Sequence, residues 1–110
     1  MIHPSTTFCF AELQTPDVNR AAEFYGSVFG WNAAPITNDF HVFRMNGDDI
    51  IGMRRARAHR LIGHVAVDSV DRVMARALEL GARLDTPPLD TPGVARTAVL
   101  ADPDGAVFGV

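Results

Sequence analysis

Leu61-Ile62-Gly63-His64-Val65-Ala66-Val67-Asp68-Ser69-Val70-Asp71 is the stretch at which the pattern of this chain begins again. Leu61 to Val67 reads as a strand. Ser69 reads as the cap of a helix carrying Val73, Met74, Ala77, Leu78 and Leu80 at helical spacing, with Gly81 as its stop. Phe8-Cys9-Phe10-Ala11-Glu12-Leu13 reads the same way, a short aromatic-rich strand. Alternation puts Phe8, Phe10 and Glu12 on one face and Cys9, Ala11 and Leu13 on the other. Thr15-Pro16-Asp17 then starts a helix, with Thr15 as the expected cap, Pro16 in the first position and Asp17 where the helix dipole favours an anion. That helix carries Ala21, Phe24, Tyr25 and Val28 and ends near Gly30, and Trp31 opens the next strand.

Each helix is followed by strand signals. Phe40 to Met45, Asn46-Gly47 and Ile50 to Met53 predict a hairpin, because Asn-Gly supplies a turn with positive φ. Arg83-Leu84 begins a strand, Thr86-Pro87-Pro88 and Asp90-Thr91-Pro92-Gly93 mark loops, and Arg96 to Leu100 with Ala106 to Val110 form a last hairpin. Arg54 to Arg60 is the one basic run and reads as a solvated connector, the alternative being an anion or nucleic-acid patch. The chain is thus two copies of a strand–helix–three-strand unit. A shift of 54 lays Phe10 on His64, and a shift of 57 lays Val42 on Val99 and Gly52 on Gly109.

Composition narrows the chemistry. The 110 residues suffice for one domain and are too few for two ordinary ones. All ten cationic residues are Arg, which excludes a Schiff-base lysine and a phosphate-loop lysine. Glu12, Glu23 and Glu79 are the only glutamates, and with four His and one Cys the stock of transition-metal ligands is small. A net charge of −3 gives no reason to expect nucleic acid or an anionic membrane as partner. No apolar run is long enough to span a bilayer. The N-terminus carries no expected signal peptide, and the single Cys9 fits a reducing cytoplasm.

Glu12-Leu-Gln-Thr-Pro-Asp17, Ala22-Glu-Phe24-Tyr25-Gly-Ser-Val-Phe29-Gly30-Trp31, His64-Val-Ala-Val-Asp68 and Asp102-Pro103-Asp104-Gly105 together resemble the vicinal oxygen chelate superfamily. That superfamily comprises glyoxalase I, the bleomycin-resistance proteins and the extradiol dioxygenases. The details look most like a small subgroup described as glyoxalase-like or hydroxylase-like. The resemblance implies an α+β fold: two βαβββ modules in one domain, forming curved sheets around a cavity. Module one is expected at about 8–53, a linker at 54–60 and module two at about 61–110. It also implies a homodimer.

Metal-binding members place one ligand on the first and one on the last strand of each module. Carried over, those positions are Phe10, Gly52, His64 and Gly109, with Met53 the neighbour if the alignment slips by one. Only His64 suits a first-row metal, where about three protein ligands are needed, so no metal or other cofactor is expected.

Glu12, on the Phe10 face, could replace one ligand and leaves a weak or substrate-completed site open. His64 and Glu12 are the candidate acid/base pair. The bland readings are a core histidine and a structural carboxylate bound to a strand end or to Arg44 or Arg96. Phe8, Phe10, Trp31 and Met53 are candidate apolar walls for a ligand, and Arg96 a candidate partner for a ligand carboxylate or phenolate, its bland reading an edge-strand salt bridge. Tyr25 is expected to pack, Cys9 to be an inert core thiol, and His3, His41 and His59 show no metal spacing. The reading is a small-molecule-binding protein for a hydrophobic or aromatic metabolite. The alternatives are a metal-free isomerase, cyclase or lyase using His64 and Glu12, and a metal-dependent lyase or dioxygenase with a degenerate site.

Overall fold

The structure is a computed structural model that describes residues 6–91 and 93–110. The expectations for residues 1–5, His3 among them, and for Pro92 lie outside the described residues. The chain is mixed α+β, in the order β1 (Phe8–Thr15), α1 (Val18–Phe29), β2 (Asn32–Thr37), β3 (Phe40–Met45), β4 (Asp48–Arg55), β5 (Arg60–Val65), α2 (Val70–Glu79), β6 (Arg83–Thr91), β7 (Ala95–Ala101) and β8 (Val107–Gly109). It divides into two compact units, Phe10–Ile62 and Gly63–Val110, the latter with residues 6–9.

In the first unit the strands lie in the order β2-β3-β4-β1, with β1 parallel to β4 and the other pairs antiparallel. Asn46 (φ 51°) and Gly47 (φ 84°) make the β3–β4 turn, as Asn-Gly predicts. The helix starts later than the sequence suggested. Asp17, not Thr15, is the cap, accepting from the Arg20 amide at 3.0 Å. The cause is Pro16, which holds the residue before it extended, so Thr15 stays in β1. Gly30 at φ 73° ends α1 in the left-handed conformation. Helix and sheet bury Val18, Phe43 and Met53 between them, with Leu13, Ala21, Tyr25 and Ile51 packed around.

The second unit orders its strands β5-β8-β7-β6, with β5 parallel to β8. Ser69 caps α2 by accepting from the Arg72 amide at 3.2 Å. Ala98, Leu100 and Val110 form its core, covered from α2 by Val70, Val73, Met74 and Ala77. β6 runs through Pro87 and Pro88, which the sequence suggested as a loop. An edge strand tolerates proline because one row of its amides has no ladder partner, and here the register shifts twice, between Leu84 and Thr86 and between Thr86 and Leu89.

Register corrects the repeat. Gly52 pairs with Glu12 and Gly109 pairs with His64. Glu12, not Phe10, is therefore the first-unit counterpart of His64, and the caps Asp17 and Ser69 carry the same offset.

Candidate functional site

In the first unit, strand alternation puts Phe10, Glu12 and Gln14 of β1, Gly52 and Arg54 of β4 and Phe40 of β3 on the sheet face away from α1. Glu12 is 3% exposed, and both its carboxylate oxygens are engaged. Oε1 accepts from Arg54 Nε at 2.9 Å and Oε2 from Gln14 Nε2 at 3.0 Å. Gln14 Oε1 in turn accepts from Arg60 Nε at 3.0 Å and Nη2 at 2.8 Å. The Arg54 guanidinium also sits 4.3 Å from the centre of the Phe40 ring. Arg54 and Arg60 thus belong to strands and hold a carboxylate and an amide, where the sequence suggested a solvated run. Only 56–59 lies between the strands.

Over Gly52 the Phe40 ring takes the room of a side chain: a Cβ there would meet Phe40 Cζ at 2.8 Å and Cε1 at 2.9 Å. Phe10 Cε2 borders the same spot at 3.6 Å. In the second unit the His64 imidazole lies over Gly109 so closely that a Cβ would collide with its Cγ, Nδ1 and Cε1. His64 is 1% exposed, and its carbonyl accepts from Cys9 Sγ at 3.5 Å. Each unit therefore pairs a last-strand glycine with a ring that fills the space above it.

The other candidates fall elsewhere. Met53 is fully buried beside Val18 and Phe43, on the helix side of the first sheet, because it follows Gly52 by one residue and alternation turns it over. Trp31 is also on the helix side, packed on Phe43 (5.3 Å between ring centres) and stacked on Phe29 (4.6 Å). Phe8 is 75% exposed, its ring over Gly63.

Arg96 is held in salt bridges: Nε and Nη2 donate to Asp71 at 3.1 and 2.9 Å, and Nη1 donates to Asp90 at 2.9 Å. Its hydrogen bond holds the Asp71 carboxyl below its ordinary range, and the two carboxylates raise the Arg96 guanidinium. Glu12 pairs with neither Arg44 nor Arg96, since Arg44 donates to Asp49 at 2.7 Å. Arg54 was the residue sequence reasoning missed. Its signal was its parity with Gly52, two residues earlier on β4.

Residues 8–110 match the glyoxalase-like domain, and the chain belongs to that family, within the vicinal oxygen chelate superfamily. It is similar to the anthracycline biosynthesis protein DnrV of Streptomyces peucetius, 29% identical over 121 residues, covering 90% of this chain and 44% of that protein. Among solved structures it is similar to the Mn(II)-bound glyoxalase of Novosphingobium aromaticivorans, with TM-score 0.68 and 24% identity, over 96% of this chain and 38% of that one. A variant of homoprotocatechuate 2,3-dioxygenase from B. fuscum matches with TM-score 0.67 and 21% identity, over 96% of this chain and 32% of that one. The chain thus spans under half the length of the curated relative.

Such neighbours raise the question of a metal. A divalent catalytic centre takes about three protein donors. Gly52 and Gly109 bring none, the room above them is filled by Phe40 and His64, and both oxygens of Glu12 are already taken. Among the described residues no group of three or more His, Cys, Asp or Glu is placed to hold an ion. At these positions the nitrogen and oxygen donors are His64 and Glu12, short of that number. Among the described residues, too, no helix is long and apolar enough to cross a membrane.

Proposed function

We propose that this chain is a ligand-binding module of the glyoxalase-like family that takes a hydrophobic or aromatic metabolite without a resident metal. The observation carrying this reading is that two of the four expected ligand positions are glycines with a ring packed over each: Phe40 over Gly52 and His64 over Gly109. Phe10 beside Gly52 extends the aromatic surface, and the Arg54–Glu12–Gln14–Arg60 chain stiffens the face that bears it. Flat rings favour flat apolar ligands. The relative named for anthracycline biosynthesis supports the same class, since anthracyclines are planar polycyclic compounds.

The test is titration of the full chain with 2-hydroxyanthraquinone, followed by its visible absorbance, in buffer containing EDTA. The reading expects saturable binding that Phe10→Ala weakens at least fivefold. Binding that appears only when a divalent metal is added would overturn it.

A second reading, a metal-free isomerase, cyclase or lyase, is favoured by the burial of both His64 and Glu12, at 1% and 3% exposure. Product analysis separates the two: a bound compound recovered unchanged fits a binding module, and conversion by the chain that is lost in His64→Gln with binding intact identifies an enzyme. We also propose a homodimer in the cytoplasm. Light scattering of the purified chain tests the assembly, with a single mass of about 24 kDa expected from the 11.9 kDa chain.

A further inference from the structure

We infer that the outer flank of α1 is the surface on which a second copy of this chain docks, through a two-fold antiparallel pairing of the two α1 helices. The inference rests on the homodimer proposed above and names its contact. Laying the cap Asp17 on the cap Ser69 superposes Val18, Ala21, Ala22 and Tyr25 on Val70, Val73, Met74 and Ala77, and each set packs on the core of its own sheet. The same alignment lays Phe24 on Arg76 and Val28 on Leu80. Arg76 is exposed and ion-paired with Glu79 at 3.1 Å, so α2 keeps a charged flank outside its packed stripe, as a surface helix does. At the matching place α1 carries Phe24, 59% exposed, one turn before Val28, 55% exposed. Neither is needed to cover the sheet.

Area, charge and the sheet edges select a second copy as the occupant. Phe24, Val28 and Phe29 of α1 and Leu61 of β5 are each more than half exposed. The patch is continuous through Tyr25, whose ring meets Phe24 edge-on at 5.1 Å and which borders one cavity with Phe29 and Leu61. At roughly 200 Å² for a whole side chain, these four leave about 450 Å² of apolar surface. A stable interface covers about 800 Å² per partner, a little over half of it apolar, so the patch supplies the apolar share of one side. The exposed Asn19, Arg20, Glu23 and Ser27 supply a polar rim. In an antiparallel pairing Phe24 of each copy meets Val28 of the other, which makes the patch its own complement. Arg20, one turn before Phe24, then reaches the C-terminal end of the other α1, whose last turn holds no basic residue. A cation there complements the helix dipole. Pairing through strands is blocked instead. β2 and β6, the outermost strands, carry Pro35 and Pro87-Pro88 with register shifts beside them.

Sedimentation velocity of the full chain across a concentration series tests the inference. The wild type is expected to form a reversible dimer of about 24 kDa from the 11.9 kDa chain. Phe24→Arg, which copies the residue of α2, should weaken dimerisation about thirtyfold or more, as loss of a central aromatic anchor does. Val28→Arg should act in the same direction, while Leu80→Arg, at the matching place of α2, should leave the dimer unchanged. Arg20→Glu should weaken it about fivefold. All four side chains are exposed, so each variant should keep the wild-type circular dichroism. A dimer indifferent to both Phe24→Arg and Val28→Arg would overturn the inference and leave the homodimer standing. A dimer broken by Leu80→Arg instead would move the contact to α2 and overturn it too. Growth past the dimer would contradict the two-fold pairing. A wild-type chain that stays monomeric throughout would overturn the homodimer itself.

Discussion

The two units share one plan and spend their polar residues differently. In the first, the residue opposite the last-strand glycine is Glu12, buried and clamped by Arg54 and Gln14, and a phenylalanine covers the glycine. In the second, the opposite residue is His64, and its own ring covers Gly109. The first unit keeps one ion pair, Arg54 with Glu12, on the buried sheet face, besides exposed pairs such as Arg44 with Asp49. The second uses exposed pairs, Arg96 with Asp71 and Asp90, to tie α2 to β7 and β6. The lesson is that the repeat conserves geometry at the glycines while leaving each unit free to choose what fills the space.

The largest expected break in that comparison is Gly109→Ala. The new methyl would overlap the root of the His64 ring, which cannot swing away as a flexible tip can, so a loss of about 3 kcal/mol is expected from overpacking. In a His64→Ala background the same change should cost under about 1 kcal/mol, and urea denaturation of the four proteins measures the coupling. Glu12→Ala comes next. It leaves Arg54 and Gln14 on a mostly buried face without their acceptor, and about 2 kcal/mol should be lost because Arg54 retains some solvent contact. Gly52→Ala is milder, at about 1 kcal/mol, since it meets the far end of the Phe40 ring, where a small rotation gives relief. If Gly52→Ala proves worse than Gly109→Ala, the contrast between the units is wrong.

The smallest effect is at the exposed clamp. Asp71 has a lowered folded-state pKa, so its stabilising contribution is full above the ordinary value of 3.8 and is lost as pH falls through the lowered folded value. Asp71→Asn should remove that part of the acid limb of a stability–pH profile. Near neutral pH it should lower Tm only slightly, and less at high salt.

How much of this was legible follows from the same residues. Ser69, Gly30 and Asn46-Gly47 act locally, through caps and turns, and their roles stand in the sequence. Thr15 looked like the cap because cap preference alone cannot weigh Pro16's effect on the residue before it. The prolines of β6 looked like a loop, because only the sheet order reveals that β6 lies at an edge. The site was hardest to read because faces depend on register. A two-residue error in aligning the first strands put Phe10 where Glu12 belongs, and one residue separates Gly52 from Met53 on the opposite face. Arg54 and Arg60 were hidden in a basic run whose charge said more about solvent than about the Glu12 and Gln14 side chains across the sheet.

The central claim is that Gly52 and Gly109, each under a packed ring, leave too few donors for a resident metal at the positions where the resemblance expects ligands. Isothermal titration of the chelator-treated chain with Mn(II), Fe(II), Ni(II) and Zn(II) tests it directly. The account predicts no stoichiometric binding tighter than about 1 mM, roughly 4 kcal/mol. One ion bound per chain at micromolar affinity, and lost in both Glu12→Gln and His64→Gln, would contradict it.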